Sequence, residues 1–405
     1  MYDFVKRYLK VNDNNRDLYL LLIIGGLYSI GLFLSNTFVN IYLWRQTESF
    51  LTIASYHLAI VISKPMTFIL AGKITKKIDR VIVLRLGVFF LALFFLTVLI
   101  LQDKAAYFNV LLGILIGVGY GFYWLAFNVL TFEITEPETR VFFNGVLGCL
   151  QSISGMVGPL VSGIIISRFT TEIGYMTIFT LSFILFITAV ILSFFLTRRQ
   201  TDGSYRLMTV FKEVGNNKNW QWILYANFYQ GIRDGVFVFV ISIWIFITTR
   251  SEFSLGIFSL LLNGSSFIVF ILLTIYMKDA ARKRFIFIGA IVMAFAIWIV
   301  ITEISFIRLM IYAVVIGISF PILSVPFQSL TYDIIGKAYK AGDLRIEYIV
   351  LLEIASNLGS ILSIVLFIIG ITFFSSLNPI PIMLALFSLS YLIIYLFIGK
   401  LMKND

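Results

Sequence analysis

Leu125–Ile134 reads LAFNVLTFEI, and Val325–Ile334, two hundred positions further on, reads VPFQSLTYDI. Phe127, Leu130, Thr131 and Ile134 recur as Phe327, Leu330, Thr331 and Ile334. Asn128, Phe132 and Glu133 recur in kind as Gln328, Tyr332 and Asp333. The same offset carries Gly117 onto Gly317, and Gly31, Ile41 and Trp44 onto Gly231, Ile241 and Trp244. Any two greasy helices share Leu and Ile. This match includes an amide, a hydroxyl, an indole and an acid, so the second half reads as a parallel copy of the first. The halves are 18–196 and 219–399, joined by a polar linker at 197–218, with a polar segment at 1–17 and a short tail at 400–405.

Each half is too apolar for a soluble domain. The 405 residues are 60% hydrophobic and 13% charged, with mean hydropathy +0.98, against roughly 25% charged in soluble proteins. A bilayer can take the place of a core for such a chain, and a span needs about 20 apolar residues. Breaks at charged clusters place twelve spans near 18–44, 50–72, 81–102, 106–132, 141–167, 173–196, 219–249, 254–277, 285–303, 309–332, 346–372 and 379–399. The expected fold is all-α and membrane-embedded, with two pseudo-symmetric six-helix bundles. The first apolar run has full span length and no small-residue cleavage site, so it reads as a retained span. With the N-terminus inside, 24 of the 31 Lys and Arg fall on inside segments, and only Arg45, Lys104, Arg168, Arg250 and Arg308 on outside loops. That asymmetry predicts cytoplasmic termini in the cell membrane and accounts for the net charge of +10 without a nucleic-acid partner. One cysteine, Cys149, and one histidine, His57, leave no disulfide framework and no Cys/His metal site. No phosphate-binding loop and no nucleophile–base set is visible, so neither ATP hydrolysis nor enzyme chemistry is indicated, and no cofactor is expected.

Two halves of six spans around a central site is a transporter architecture, and here the chain resembles the major facilitator superfamily. The superfamily's loop between spans 2 and 3 reads G-x-x-x-D-R-x-G-R-R. Gly72, Lys77 and Arg80 match it, whereas Lys76 stands at the acidic position and Asp79 at the second glycine. The fifth span is similar to the antiporter pattern G-x8-G-x3-G-P-x2-G-G. It supplies Gly145, Ser154, Gly158, Pro159, Ser162 and Gly163, with two glycines replaced by small serines. The resemblance implies an exchanger that exports its substrate against protons. Taken alone, the small residues indicate close helix packing.

Ionisable residues at membrane depth are costly and concentrate in cavities or pairs. His57, Lys64, Arg233, Asp234 and Glu353 are expected there. At about 1.5 Å per residue, Lys64 on span 2 and Glu353 on span 11 sit at similar depth, roughly 12 Å from the inner end. They are expected to pair across the halves, because spans 2 and 11 of the superfamily face each other. Asp234 is the first expected proton carrier, Glu353 the second, and His57, seven residues before Lys64 and roughly on the same helix face, a relay. Arg233 and Asp234, adjacent on one helix, point about 100° apart and are not expected to pair with each other.

Ligand sites are mostly apolar with a few placed polar groups. Asn36 and Asn40 on span 1, Tyr120, Tyr123, Trp124 and Asn128 on span 4, Tyr229, Gln230 and Arg233 on span 7, Gln328 on span 10 and Asn357 on span 11 are the expected lining. The first reading is a monomeric proton-coupled exporter of small amphipathic molecules. A proton symporter importing sugars or similar solutes fits the same fold, as does a non-transporting receptor or immunity protein, because fold does not settle function.

Overall fold

The computed structural model describes residues 16–135, 137–198, 203–277, 281–374 and 379–401. Most of the expected N-terminal segment, linker positions 199–202 and the tail beyond 401 lie outside the described residues. In lipid every backbone polar group must be satisfied within the chain, so apolar runs of this length form helices. The first half comprises α1 (Arg16–Thr47), α2 (Phe50–Lys77), α3 (Arg80–Leu101), α4 (Asn109–Ile134), α5 (Pro137–Arg168) and α6 (Thr171–Ser193). A short helix, α7 (Leu207–Asn216), lies within the linker. The second half comprises α8 (Lys218–Thr249), α9 (Glu252–Tyr276), α10 (Arg282–Phe295), α11 (Trp298–Ile301), α12 (Phe306–Lys337), α13 (Ala341–Phe373), α14 (Pro379–Ser388) and α15 (Ser390–Leu401). Helices α10 and α11 together make one span, as do α14 and α15.

Among the described residues eleven helical stretches are long and apolar enough to cross a membrane, and one of them, Arg80–Thr131, is 52 residues long. That stretch folds back on itself. A Cβ on Gly87 would meet the backbone of Tyr123 at 2.4 Å, and one on Gly119 would meet Leu91 at 2.8 Å. These contacts fit an antiparallel pair, with the reversal in the 3₁₀ turn Gln102–Phe108. Counted in this way the described residues form twelve spans.

The repeat seen in the sequence is also a repeat of packing. Gly117 on α4 lies against Ser63 and Ile60 of α2; Gly317 on α12 lies against Ser265 and Leu262 of α9. Ser63 Oγ donates back to the Ala59 carbonyl at 2.7 Å, and Ser265 Oγ to the Leu261 carbonyl at 2.7 Å. Gly87 against Tyr123 is matched by Gly289 against Leu323. Ser63 and Ser265, like Gly87 and Gly289, are offset by two more residues than Gly117 and Gly317, which is why a constant offset does not register spans 2 and 3. The turns after α1 and α8 each hold a residue at positive φ, Glu48 at 48° and Arg250 at 51°.

The halves meet along two seams. On one, α5 and α9 run antiparallel: a Cβ on Gly163 would meet the Glu252 carbonyl oxygen at 2.8 Å, and one on Gly256 the Leu160 Cα at 2.8 Å. On the other, α2 faces α13. Thr197 N–H donates to Asp17 at 3.2 Å, and Lys400 lies 4.4 Å from the Trp222 ring centre, so Asp17, the linker and Lys400 share one face. We call this the linker face and the opposite one the far face.

Candidate functional site

A cavity of about 640 Å³ lies between the halves. Asn36 from α1, His57 and Lys64 from α2, Tyr120 from α4, Pro159 from α5, Arg233 and Asp234 from α8, and Glu353 and Asn357 from α13 all line it. The α5–α9 and α2–α13 contacts bring the halves together on either side of this space.

Lys64 Nζ and Glu353 Oε1 form an ion pair across the cavity. Glu353 also accepts from Asn357 Nδ2 at 2.7 Å. Arg233 and Asp234 do touch, contrary to the expectation from helix geometry: Arg233 Nη1 lies 3.3 Å from Asp234 Oδ1. The long Arg233 side chain spans the difference in direction that a short one could not. Its guanidinium stacks 4.4 Å over the Phe237 ring and donates to the Tyr312 hydroxyl at 3.1 Å. Asp234 is held by long contacts, from the Tyr391 hydroxyl at 3.3 Å and Gln230 at 3.5 Å. Its side chain is 41% exposed, against 11% for Arg233, so the carboxylate faces the cavity and the guanidinium lies behind it. His57 is buried, shares a 3.0 Å hydrogen bond with Asn40 and stacks 4.9 Å from the Phe239 ring of the other half. It packs the seam, and Asn40 sits behind it rather than on the cavity wall.

Other expected lining residues point elsewhere. Tyr123 is buried in the first half, stacked 3.8 Å from Tyr28, with Trp124 edge-on to the same ring. Tyr229 packs 5.6 Å from Phe397. Asn128 opens into a second cavity of about 680 Å³ at the linker face, and Gln328 is exposed outside both. Tyr120 and Tyr123 are three residues apart and so point about 60° apart, enough for one to reach the cavity and the other to stack on Tyr28 inside the first half. Asn263, Tyr312 and Ser356 line the central cavity although the sequence reading passed over them.

Charged pairs close the halves at both ends. At the far face, Arg45 of α1 donates to Glu252 Oε1 of α9 through Nε at 2.9 Å and Nη2 at 2.7 Å. The Tyr175 hydroxyl donates to the same oxygen at 3.1 Å. At the linker face, Lys76 Nζ donates to both oxygens of Glu347, at 2.6 and 2.8 Å, and to the Asp343 carbonyl at 2.7 Å. The residue that departs from the superfamily's loop pattern therefore makes a buried cross-half contact. Asp79, in the place of the second glycine, caps α3 by accepting from Val81 N–H at 2.7 Å. Arg80 pairs with Glu133, and Lys77 is exposed. The linker crosses this gate. Gly203 N–H donates to the Lys76 carbonyl at 2.9 Å, Arg206 N–H to Glu347 at 2.9 Å, and the Tyr205 ring packs on Gly72. Burial, with Glu347 nearby, pushes the Tyr205 phenol above its ordinary range. Glu252 and Glu347 were missed from sequence because each lies at a predicted span end, where a carboxylate looks solvated.

In the fifth-span pattern, Gly158 packs on the α1 backbone at Phe33, Gly163 meets α9, and Ser154 Oγ donates back to the Leu150 carbonyl at 2.6 Å. Gly145 has nothing within 4 Å of an added Cβ. The α5–α9 seam is thus tight towards the far face, with open space beside α5 nearer the linker face.

The sequence model described as Major Facilitator Superfamily matches residues 18–364. The uncharacterized protein YqgE of Bacillus subtilis (strain 168) is 50% identical over 386 residues, 95% of this chain and 90% of that one. A protein from the sodM 3' region of Geobacillus stearothermophilus is 61% identical over 165 residues, 41% of this chain and 77% of that one. In fold, the chain is similar to a bacterial homologue of the iron transporter ferroportin in an inward-facing state. The TM-score is 0.69 at 14% identity, over 95% of this chain and 98% of that one. The nucleoside transporter NupG matches with TM-score 0.72 at 12% identity, over 95% and 99%.

Proposed function

This chain belongs to the Major Facilitator Superfamily, and from that premise we propose that it exchanges protons for a small amphipathic solute across the cell membrane. The family supports a multi-pass secondary transporter; the solute, the proton and the direction are our reading. The observation that carries it is the position of Asp234, a cavity-facing carboxylate held only by contacts of 3.3–3.5 Å. In this reading a proton bound there changes what Arg233 is paired with.

Alternating access requires one end of the seam to part while the other holds. Arg45–Glu252 and Lys76–Glu347 stand at the two ends, with Lys64–Glu353 between them. Separating Lys76 from Glu347 strands two buried charges unless water enters, so this pair makes the linker-face gate two-state. In this reading the termini and linker face the cytoplasm, where most Lys and Arg lie. The chain acts as a monomer, with Gly158 and Gly163 of α5 as the sliding surface for export. Import of a polar solute by symport is the second reading, favoured by the amides of Asn36, Asn263 and Asn357 on the cavity wall.

The test is proton flux in liposomes that hold a pH gradient and a pH-sensitive dye. Amphipathic cations, neutral amphiphiles and sugars are added singly. Dissipation by an amphiphile in the exchange sense, lost in Asp234→Asn, supports the exporter. Proton movement together with a sugar replaces it by the symporter, and silence across the panel favours a non-transporting role.

A further inference from the structure

We propose that the linker-face cavity is a binding site for a phosphate group, distinct from the central cavity. Its volume is about 680 Å³, and three separate parts of the chain wall it: the first half, the linker and the start of α13. Five cations line it: Lys76, Arg80, Arg206, Lys340 and Arg345. The carboxylates on the wall are Glu133 and Asp343, and Glu347 lies behind Lys76. Among the described residues the balance is an excess of two positive charges. Lys76 is committed to Glu347 and Arg80 to Glu133. Arg206 and Lys340 are exposed and have no carboxylate partner among the described residues; Lys340 Nζ lies only over the Tyr339 ring, at 5.4 Å.

The general excess of Lys and Arg on one face of a membrane protein explains the sign of these residues. It does not explain their convergence on one cavity from segments more than a hundred residues apart. Neutral donors fill the same wall, with Ser204 and Thr209 contributing hydroxyls. Phosphate oxygens suit that mixture, because charged donors bind them through short charge-assisted hydrogen bonds and hydroxyls complete the shell. The backbone at Gly342 adds room for close approach, since a Cβ there would meet nothing within 4 Å.

The position has a consequence for the gate. Arg206 N–H already donates to Glu347, the partner of Lys76. A phosphate held between the Arg206 and Lys340 side chains ties the linker to α13 beside that pair and holds the linker face closed.

Two sources offer the same chemistry, soluble phosphate and the headgroup of an anionic phospholipid. The full chain in neutral detergent is titrated with inorganic phosphate against chloride at matched ionic strength, with thermal unfolding as the readout. In parallel the protein is placed in nanodiscs of phosphatidylcholine with or without phosphatidylglycerol. A saturable rise in Tm is expected in at least one arm, and the arm that responds identifies the source. In R206A/K340A the concentration for half the effect should rise about tenfold or more, as two charge-assisted contacts are removed. Both residues are exposed, so the variant should unfold near the wild-type temperature without anion; R206Q/K340Q carries the same test if it does not. No rise in either arm, or an equal rise in the double variant, overturns the proposal.

Discussion

Lys76 Nζ sits 2.6 Å from Glu347 Oε1 across the two halves, and the Glu347 side chain has no solvent exposure at all. Neither residue was expected to make this contact from the loop pattern, which places an acid where Lys76 stands. Removing one member leaves the other buried and unpaired, at about 3–5 kcal/mol. Lys76→Met should therefore lower Tm and raise labelling of a cysteine at Ile349, on the wall of the linker-face cavity. The swap K76E/E347K should recover much of both. A swap no better than either single reversal would mean that the pair is not the latch.

Lys64 and Glu353 carry a similar prediction at mid-depth. Lys64→Glu and Glu353→Lys should each abolish solute movement, and the two together should restore a measurable part of it. The pair is about a quarter exposed, with 24% and 23% of the side chains accessible, so the fold should tolerate the changes better than those at Glu347. Single reversals that transport at the wild-type rate would exclude a gating role.

Asp234→Asn keeps the shape of the side chain and removes its charge. Solute binding should persist while movement driven by a pH gradient is lost. Proton flux unchanged in this variant would transfer the role to another group. Arg233→Lys keeps the charge but loses the planar stacking on Phe237 and the fork that reaches both Tyr312 and Asp234. It should behave as a binding defect rather than a conservative change.

Gly256→Leu tests the far-face seam. An added Cβ already meets Leu160 Cα at 2.8 Å and the Pro159 carbonyl at 2.9 Å, so the larger side chain must push α9 from α5. With Cys149 replaced, a cysteine at Leu255 should become more reactive to a membrane-impermeant thiol reagent applied from the far face, and turnover should fall. Gly145→Leu, where nothing lies within 4 Å, is the matched control and should change neither. Equal effects at the two glycines would remove the distinction between the tight and the open ends of α5.

Much of this architecture is legible along the chain. The spans follow from apolar length. The halves follow from Phe127, Thr131 and Glu133 recurring at Phe327, Thr331 and Asp333. The meeting of α2 with α13 was expected from the resemblance together with equal depths. Rotation about each helix axis was not legible, and it decides which side chains share a space. Tyr120 and Tyr123 are one turn apart in sequence, yet Tyr120 lines the cavity and Tyr123 stacks on Tyr28 inside the first half.

The sequence by itself determined the number of spans, the internal repeat and the lopsided distribution of Lys and Arg, because these depend on composition and spacing along one dimension. Only the tertiary structure decided that Lys76 meets Glu347, that Arg45 meets Glu252, and that Arg233 lies behind Asp234. Those contacts depend on how two bundles dock and on how far a flexible side chain reaches. A shift of a single residue in register turns a helix by 100° and moves a charge from a gate into lipid or core.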